Sequence, residues 1–592
     1  MRIRYLNGSR LYNAVLAGGV AVIRDRETLN RINVFPVPDA DTGTNLSMTM
    51  RAIAEEAQSH LSAKATLKSI ASAALGGARG NSGLIFAQFI LGMSREVGHD
   101  PRLTTRHFGE AVRRAARHAR MAIVHPVEGT MITVIRDWAE AVFQMRDKTA
   151  DFVELMTETL KTAQESLRQT TEKLQVLAKA GVVDAGAKGF VDFLEGILHY
   201  IKFGRIFREE KAELAPAHEE IKTPAKNKSI EFRYCTETLI TGRNLDADAI
   251  RDLVQHHGDS AVVAGAEERV RIHVHTNEPA ELVFRIRDLG TIVQVKVDDM
   301  VRQYEAAHAR KTPIGFLTDS SSDLPAAVLD ERQIHVVPFT LSFGDQQYLD
   351  RLTITPDRFY QLLRTHPSHP KTAQPGYQTV LKMVTYLAGH YESLIIVTIS
   401  DKLTGFFGQC RAAAMELAGK KIAVINSRSI SAGMGLLISR ATDMALAGAS
   451  HDSIVAALES WVPRTKLLVD VNTMKYFVRG GRVGPVKGLL GRLLHIRPII
   501  TLSPEGKATD AGKSFSRASN MAKILKACEA FAAENGIWNY AIVHALAPGR
   551  AEIYAQELTG RLGRPPLFIN DVAPVIGVHA GDGTAGIALL AE

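Results

Sequence analysis

Apolar residues recur at helical spacing over residues 10–29, 46–59, 106–122 and 151–178. Beyond about residue 313 they gather instead into short runs, at 314–317, 335–340, 394–399, 422–425, 467–471 and 499–502, separated by amphipathic stretches. A 3.6-residue period buries one stripe of a helix, whereas a short continuous run buries both faces of a strand, so one architecture cannot serve both halves. The first two hundred residues therefore predict an all-α domain. The last half predicts an α/β domain with a largely parallel sheet and helices on both faces. Between them, strands expected at 233–239, 261–265 and 270–275, with one or two helices, make a small α+β domain. The stretch 205–229 is charged, lacks apolar rhythm and holds Pro216 and Pro224, which reads as a surface linker. The expected division is thus multidomain: 1–204 all-α, 205–229 linker, 230–311 α+β and 312–592 α/β, within the capacity of 592 residues.

Charge narrows the partners. Lys and Arg number 71 against 63 Asp and Glu, a net of +8, without a basic run or a basic-aromatic stripe. Nucleic acid is not expected, and at most peripheral contact with anionic lipid is. The apolar run from Leu11 to Ile23 behind Arg2 and Arg4 mimics a signal peptide, but Asn13 interrupts it and Arg24-Asp25-Arg26-Glu27 follows where small residues would be needed. It reads as a first helix. No apolar stretch reaches the roughly eighteen residues of a spanning helix. Cys235, Cys410 and Cys528 are far apart and odd in number, which points to a reducing cytoplasm without a disulfide framework.

The segment from Asn33 to Asn45 brings two carboxylates and two amides onto a turn stiffened by Pro36 and Pro38, just before a helix. Asn33, Asp39 and Asp41 suit a hard cation, and the amides of the next helix suit phosphate oxygens. Helix capping would explain one acidic residue of the set. At 76–83, Gly76-Gly77-Ala78-Arg79-Gly80-Asn81-Ser82-Gly83 allows backbone amides close to a polyphosphate, with Arg79 supplying charge; close helix packing uses the same small residues. No Walker loop and no protein-kinase segments occur.

This turn resembles the metal-binding segment of the dihydroxyacetone kinase L domain and, more closely, that of the fatty acid kinase catalytic subunit, which usually has Gly where Ala40 stands. The 76–83 segment resembles the family's phosphate loop. Pro126-Val127-Glu128-Gly129-Thr130-Met131 and Gly181-Val182-Val183-Asp184-Ala185-Gly186-Ala187-Lys188-Gly189 resemble its nucleotide-contacting segments. The resemblance implies an all-helical barrel binding ATP and Mg²⁺. Asn33, Asp39 and Asp41 would hold the metal, with Asp39 and Asp41 catalytic. Thr42, Gly43, Thr44, Asn45, Arg79, Asn81, Ser82, Gly83, Thr130, Met131, Asp184 and Gly186 would surround ATP.

In the α+β segment, His273 and His275 are two apart in a strand and so share a face, and Cys235 on another strand could add a thiolate. Zinc suits these ligands; half-buried strand histidines beside an ordinary buried Cys are the other explanation. The segment also resembles the middle domain of the fatty acid kinase catalytic subunit, whose metal-ligand positions match these three, implying a structural zinc.

The last half resembles the DegV family of fatty-acid-binding proteins. The matching stretches are Asp319-Ser320-Ser321-Ser322-Asp323-Leu324-Pro325, Lys371-Thr372-Ala373-Gln374-Pro375, Ser400-Asp401-Lys402-Leu403-Thr404-Gly405, Arg479-Gly480-Gly481-Arg482-Val483 and Gly577-Val578-His579-Ala580-Gly581-Asp582-Gly583. That family holds an acyl chain in an apolar tunnel, which implies Thr372, Thr404, Arg482 and His579 as carboxylate contacts, Arg482 serving transfer as well. An Arg fork pairs bidentately with a carboxylate, and hydroxyls add donors. Arg482 could instead anchor a Gly-rich turn. Thr404, Ala373 and Asp582 replace a usual Ser, Ser and Pro, which bears on pocket shape and on His579.

An ATP-binding segment and an acyl carrier on one chain imply a fatty acid kinase that phosphorylates a bound long-chain fatty acid to acyl phosphate. A fatty acid transport or sensing protein is the alternative, and a dihydroxyacetone kinase acting on a small ketone ranks third. The expected partners are a long-chain fatty acid, an acyltransferase accepting the acyl phosphate, and a second copy in a homodimer. The expected place is the cytoplasm, with contact at the inner membrane surface at most.

Overall fold

The computed structural model describes residues 2–35, 41–98, 100, 102–204, 230–480 and 497–592. Asp39, the linker expected at 205–229, and Gly481 and Arg482 lie outside the described residues. The chain forms two compact units, Met1–Tyr304 and Glu305–Glu592. No described helix is long and apolar enough to cross a membrane.

The first unit opens with α1 (Gly8–Arg24), α2 (Arg26–Arg31), α3 (Thr42–Glu56), α4 (Ala63–Gly77), α5 (Gly80–Glu96), α6 (Thr105–Met121), α7 (Met131–Met145), α8 (Phe152–Lys173), α9 (Gln175–Ala180) and α10 (Ala185–Phe203). Side chains start several of these helices: Asn7, Ser62, Thr104, Asp151 and Asp184 each accept an amide proton from the first turn. The apolar stripes meet in a core where Phe86 meets Phe193 edge-on at 4.8 Å and Trp138 meets Phe190 at 5.6 Å.

An antiparallel sheet follows, ordered β2 (Asp259–Ala266), β3 (Arg269–Thr276), β1 (Tyr234–Thr241), β4 (Thr291–Asp299). Between the strands come α11 (Ala247–Val254) and α12 (Pro279–Ile286). The edge strand β2 bonds to the end of α6, Val263 donating to Ala122 O at 2.9 Å, and Val262 and Ala264 join the helical core. Sheet and helices of this unit therefore share one interior.

Among its described residues, the second unit holds three sheets. A parallel sheet runs β11 (Lys421–Asn426), β10 (Ser393–Thr398), β5 (Ile314–Asp319), β6 (Ile334–Val337). A six-stranded sheet runs β14 (Ala508–Ser514), β13 (Arg497–Leu502), β12 (Thr465–Asp470), β17 (Ala585–Leu590), β15 (Asn539–His544), β16 (Ile569–Asp571), and is antiparallel except at β15 and β16. A small antiparallel sheet joins β8 (Gln346–Leu349), β7 (Thr340–Phe343) and β9 (Lys371–Ala373). The helix Ala432–Leu446, buried over most of its surface, touches β5 and β10 as well as β12, β15 and β17.

Two expectations are corrected here. The runs at 467–471 and 499–502 do not extend the parallel sheet; they are β12 and β13 of the antiparallel one. The turn after β13 is short and closes at Gly506 with φ +84°, and such a connection permits only an antiparallel neighbour. The run at 335–340 is two strands, β6 and β7, in different sheets. Pro338 lies in the gap between them and has no N–H to continue a ladder.

Candidate functional site

Four helix N-termini of the first unit meet: those of α3, α5, α7 and α10. Missing side chains allow it. A Cβ on Gly80, where φ is +57°, would fall 2.2 Å from Asn45 Nδ2, and one on Gly83 would fall 2.6 Å from Thr49 Oγ1, both on α3. A Cβ on Gly186 of α10 would meet Ser82 Oγ at 3.0 Å and Met131 Cβ at 3.3 Å. Asp184 caps two of these helices, accepting from Ala187 N at 2.8 Å and from the Met131 amide. Burial pushes its carboxyl up to about 6 despite those amide donors. Residues from all four sequence segments, Asn45, Asn81, Ser82, Met131, Asp184 and Gly186, are thus neighbours through the tertiary fold.

Several of the predicted ligands among the described residues also have local roles. Asn33 Oδ1 accepts from Thr42 N at 3.1 Å and from the Thr42 hydroxyl, so Asn33 caps α3. Asp41, buried, accepts from Asn45 Nδ2 at 2.9 Å. Thr44 is held by Asn30, whose amide accepts from Thr44 N and donates to Thr44 Oγ1, both at 3.0 Å. Thr130 donates to Val127 O. The turn before α5 is less open than its glycines suggested: Gly80 N donates to Glu237 Oε1 at 3.0 Å, and Arg79 Nε lies 4.0 Å from Glu237 Oε2.

Glu237 belongs to the second predicted cluster. Across the β1–β3 ladder Cys235 stands opposite His275 and Glu237 opposite His273, and the period of two puts all four on one face. The thiol and the two imidazoles are buried, with ligand atoms within 4.8 Å of one another. Cys235 Sγ is 3.9 Å from His273 Nδ1, and His275 Nδ1 is 3.3 Å from Asp259 Oδ1. A soft thiolate with two imidazoles is a donor set that fits zinc. Burial would raise the Glu237 carboxyl, but the His273 hydrogen bond and the Lys296 and Arg79 charges hold it well below the usual carboxylate range. Glu237 was missed in the sequence, although its place two residues from Cys235 already put it on that face.

In the second unit a cavity of about 570 Å³ lies between the carboxyl end of β10 and the inner face of the six-stranded sheet. Its wall is mostly apolar, with Leu467, Val469, Ile500 and Leu502 from β12 and beyond. Thr372, Thr404 and His579 line it too, and Gln374, Ser431 and Thr501 add polar edges that the sequence had not marked. Thr404 Oγ1 donates to Gln374 Oε1 at 2.9 Å and accepts from Phe406 N at 3.0 Å. His579 is carried by α13 (Pro574–Ala580), whose start is held by two buried carboxylates: Asp323 accepts from Ala573 N at 2.7 Å and Asp350 from Val575 N at 3.1 Å. Gly480 lies against the His579 ring, where a Cβ would fall 2.1 Å from Nδ1. Asp582 pairs with Arg364 at 2.7 Å. Asp319 accepts from Ser321 N and Ile399 N, both at 3.0 Å, so its role is to tie β5 to the end of β10.

Comparison with known proteins matches three segments of the chain. Residues 36–199 match the DAK2 domain, 231–307 the middle domain of FakA-like fatty acid kinase proteins, and 313–592 the DegV family. Protein YloV of Bacillus subtilis (strain 168) is 32% identical over 319 residues, covering 51% of this chain and 57% of that protein. An uncharacterized protein of Staphylococcus aureus (strain N315) is 31% identical over 312 residues, with the same coverage. The chain thus spans little more than half the length of these curated relatives. Among solved structures, a fatty acid binding DegV family protein from Thermus thermophilus is 28% identical, with a TM-score of 0.45 over 47% of this chain and 99% of that one. DegV from Bacillus subtilis, a fatty acid binding protein, is 22% identical with a TM-score of 0.44 over 48% and 100%. One polypeptide therefore joins segments that match the DAK2 domain, the FakA-like middle domain and the DegV family.

Proposed function

We propose that this chain is a fatty acid kinase, a cytoplasmic phosphotransferase that converts ATP and a long-chain fatty acid to ADP and acyl phosphate. The observation that carries the reading is the pairing, on one chain, of a convergence of four helix N-termini with a 570 Å³ apolar cavity edged by Thr372, Thr404 and His579. Asn81 Oδ1 is buried without a hydrogen-bond partner beside Ser82, which fits a ligand with donors or a metal at that point. Asn33, Asp39 and Asp41 would hold Mg²⁺, and Thr42 to Asn45, Arg79, Asn81 to Gly83, Thr130, Met131, Asp184 and Gly186 would bind ATP. Bound Mg²⁺ would offset charge on the phosphates during transfer. Thr42 N, Thr44 N, Gly80 N and Met131 N are already given to Asn33, Asn30, Glu237 and Asp184, so the remaining amides of these first turns would orient phosphate oxygens, and the Gly positions keep side chains from excluding them. In the cavity, the Thr372 and Thr404 hydroxyls and His579 hold the carboxylate, with Arg482 as the bidentate partner. The carboxylate is already anionic, so no strong general base is required. These residues supply alignment and exclusion of water. Cys235, His273 and His275 would hold a structural zinc. A homodimer and an acyltransferase that accepts the acyl phosphate complete the reading.

The fatty acid carrier or sensor reading draws on the Gly80 amide, which Glu237 already occupies. One experiment separates the two: incubate the chain with Mg-ATP and oleate, and trap acyl phosphate with hydroxylamine. Hydroxamate that needs oleate and is lost in Asp41→Ala and His579→Ala supports the kinase. Oleate bound without hydroxamate sinks transfer and leaves a carrier.

A further inference from the structure

Glu237 is a buried carboxylate, 4% exposed, with contacts in two directions. Its Oε1 accepts from Gly80 N at 3.0 Å and lies 3.4 Å from His273 Nδ1. Its Oε2 accepts no hydrogen bond, and lies 3.8 Å from Arg271 Nη1 and 4.0 Å from Arg79 Nε. Arg271, 2% exposed and on the same face of β3 as His273, donates to Leu75 O at 3.1 Å and Gly76 O at 2.7 Å, and to Gln294 Oε1 at 2.7 Å. One sheet face therefore grips both sides of the turn between α4 and α5: Arg271 takes the last carbonyls of α4, and Glu237 the first amide of α5.

His273 Nδ1 faces both Glu237 Oε1 at 3.4 Å and Cys235 Sγ at 3.9 Å, so with Nδ1–H given to Glu237 a metal would be held through Nε2, and a ligating ring that donates its other nitrogen to a carboxylate is fixed together with it. Without a metal, His273 can rotate or change tautomer, and Glu237 keeps one partner fewer. We propose that Glu237 is a positioning residue that couples metal occupancy of the Cys235–His273–His275 cluster to the order of the turn at 76–83. Zinc in the cluster holds His273, His273 holds Glu237, and Glu237 holds the Gly80 amide. The consequence for nucleotide affinity rests on the kinase reading above; the coupling itself does not.

The test uses the full chain, stripped of metal or saturated with zinc, and follows hydrogen exchange of the peptide covering 76–83. Zinc slows that exchange about tenfold or more in the parent chain, in line with the effect of outer-shell partners on a metal site. In Glu237→Gln, zinc still binds at saturation but exchange at 76–83 no longer responds. Cys235→Ser, with Glu237 intact, loses the response as well. Exchange in the parent chain that ignores zinc overturns the proposal, as does an unchanged response in Glu237→Gln. Mg-ADP titrated calorimetrically into the same samples separates the two readings: a zinc-dependent turn that binds no nucleotide keeps the coupling and removes the kinase assignment.

Discussion

Gly80 and Glu237, 157 residues apart, share a hydrogen bond of 3.0 Å that ties the first amide of α5 to the sheet of the same unit. The bond runs between a glycine at φ +57° and a buried carboxylate, so both the backbone freedom and the charge are needed at this one point.

Gly80→Ala therefore meets two obstacles, a left-handed backbone and Asn45 Nδ2 at 2.2 Å from the added carbon. It should destabilise the first unit by about 2–3 kcal/mol. Hydrogen exchange of α5 in graded urea measures this; an unchanged profile would show that the turn relaxes freely.

Asp184 is pushed up to about 6 by burial, above the ordinary 3.8. The folded state binds its proton more tightly than the unfolded state does, so the contribution of Asp184 to stability is fully present below the ordinary carboxylate range. It falls as pH rises to about 6, by about 3 kcal/mol in all. Asp184→Asn keeps an acceptor for the Ala187 and Met131 amides and should flatten that slope. Exchange of α10 from pH 4 to 7.5, corrected for intrinsic rates, reads it; parallel slopes in both proteins would refute the assignment.

In the second unit, His579→Ala and Thr404→Val should each weaken oleate binding about tenfold or more, the scale of a hydrogen bond to a charged group. Titration calorimetry with oleate checks this. Equal affinity in both variants would move the carboxylate elsewhere along the cavity.

Asp470, fully buried, accepts from Arg550, from Tyr554 OH at 2.7 Å and from Asn520 Nδ2 at 2.6 Å. Asp470→Ala strands the Arg550 charge and should cost about 3–5 kcal/mol, whereas Tyr554→Phe should cost about 1 kcal/mol. Urea unfolding of the full chain, followed by exchange of β15, distinguishes the two; equal losses would make the ion pair a minor contributor.

Read by itself, the sequence determined what depends on neighbours along the chain. Helical spacing located α1, α3, α6 and α8, since the buried stripe of a helix repeats every three or four residues along the chain. Strand alternation put His273 and His275 on one side. Strand pairing was decided only in three dimensions. The runs that became β12 and β13 look like parallel strands by composition, because hydrophobicity records burial and carries no direction. Tertiary structure alone brought Ser82, Met131 and Gly186 together, opposed Cys235 to His275, and set Glu237 against Gly80. Those neighbours are separated by tens to hundreds of residues, and what joins them is the shared burial of faces that no local pattern connects.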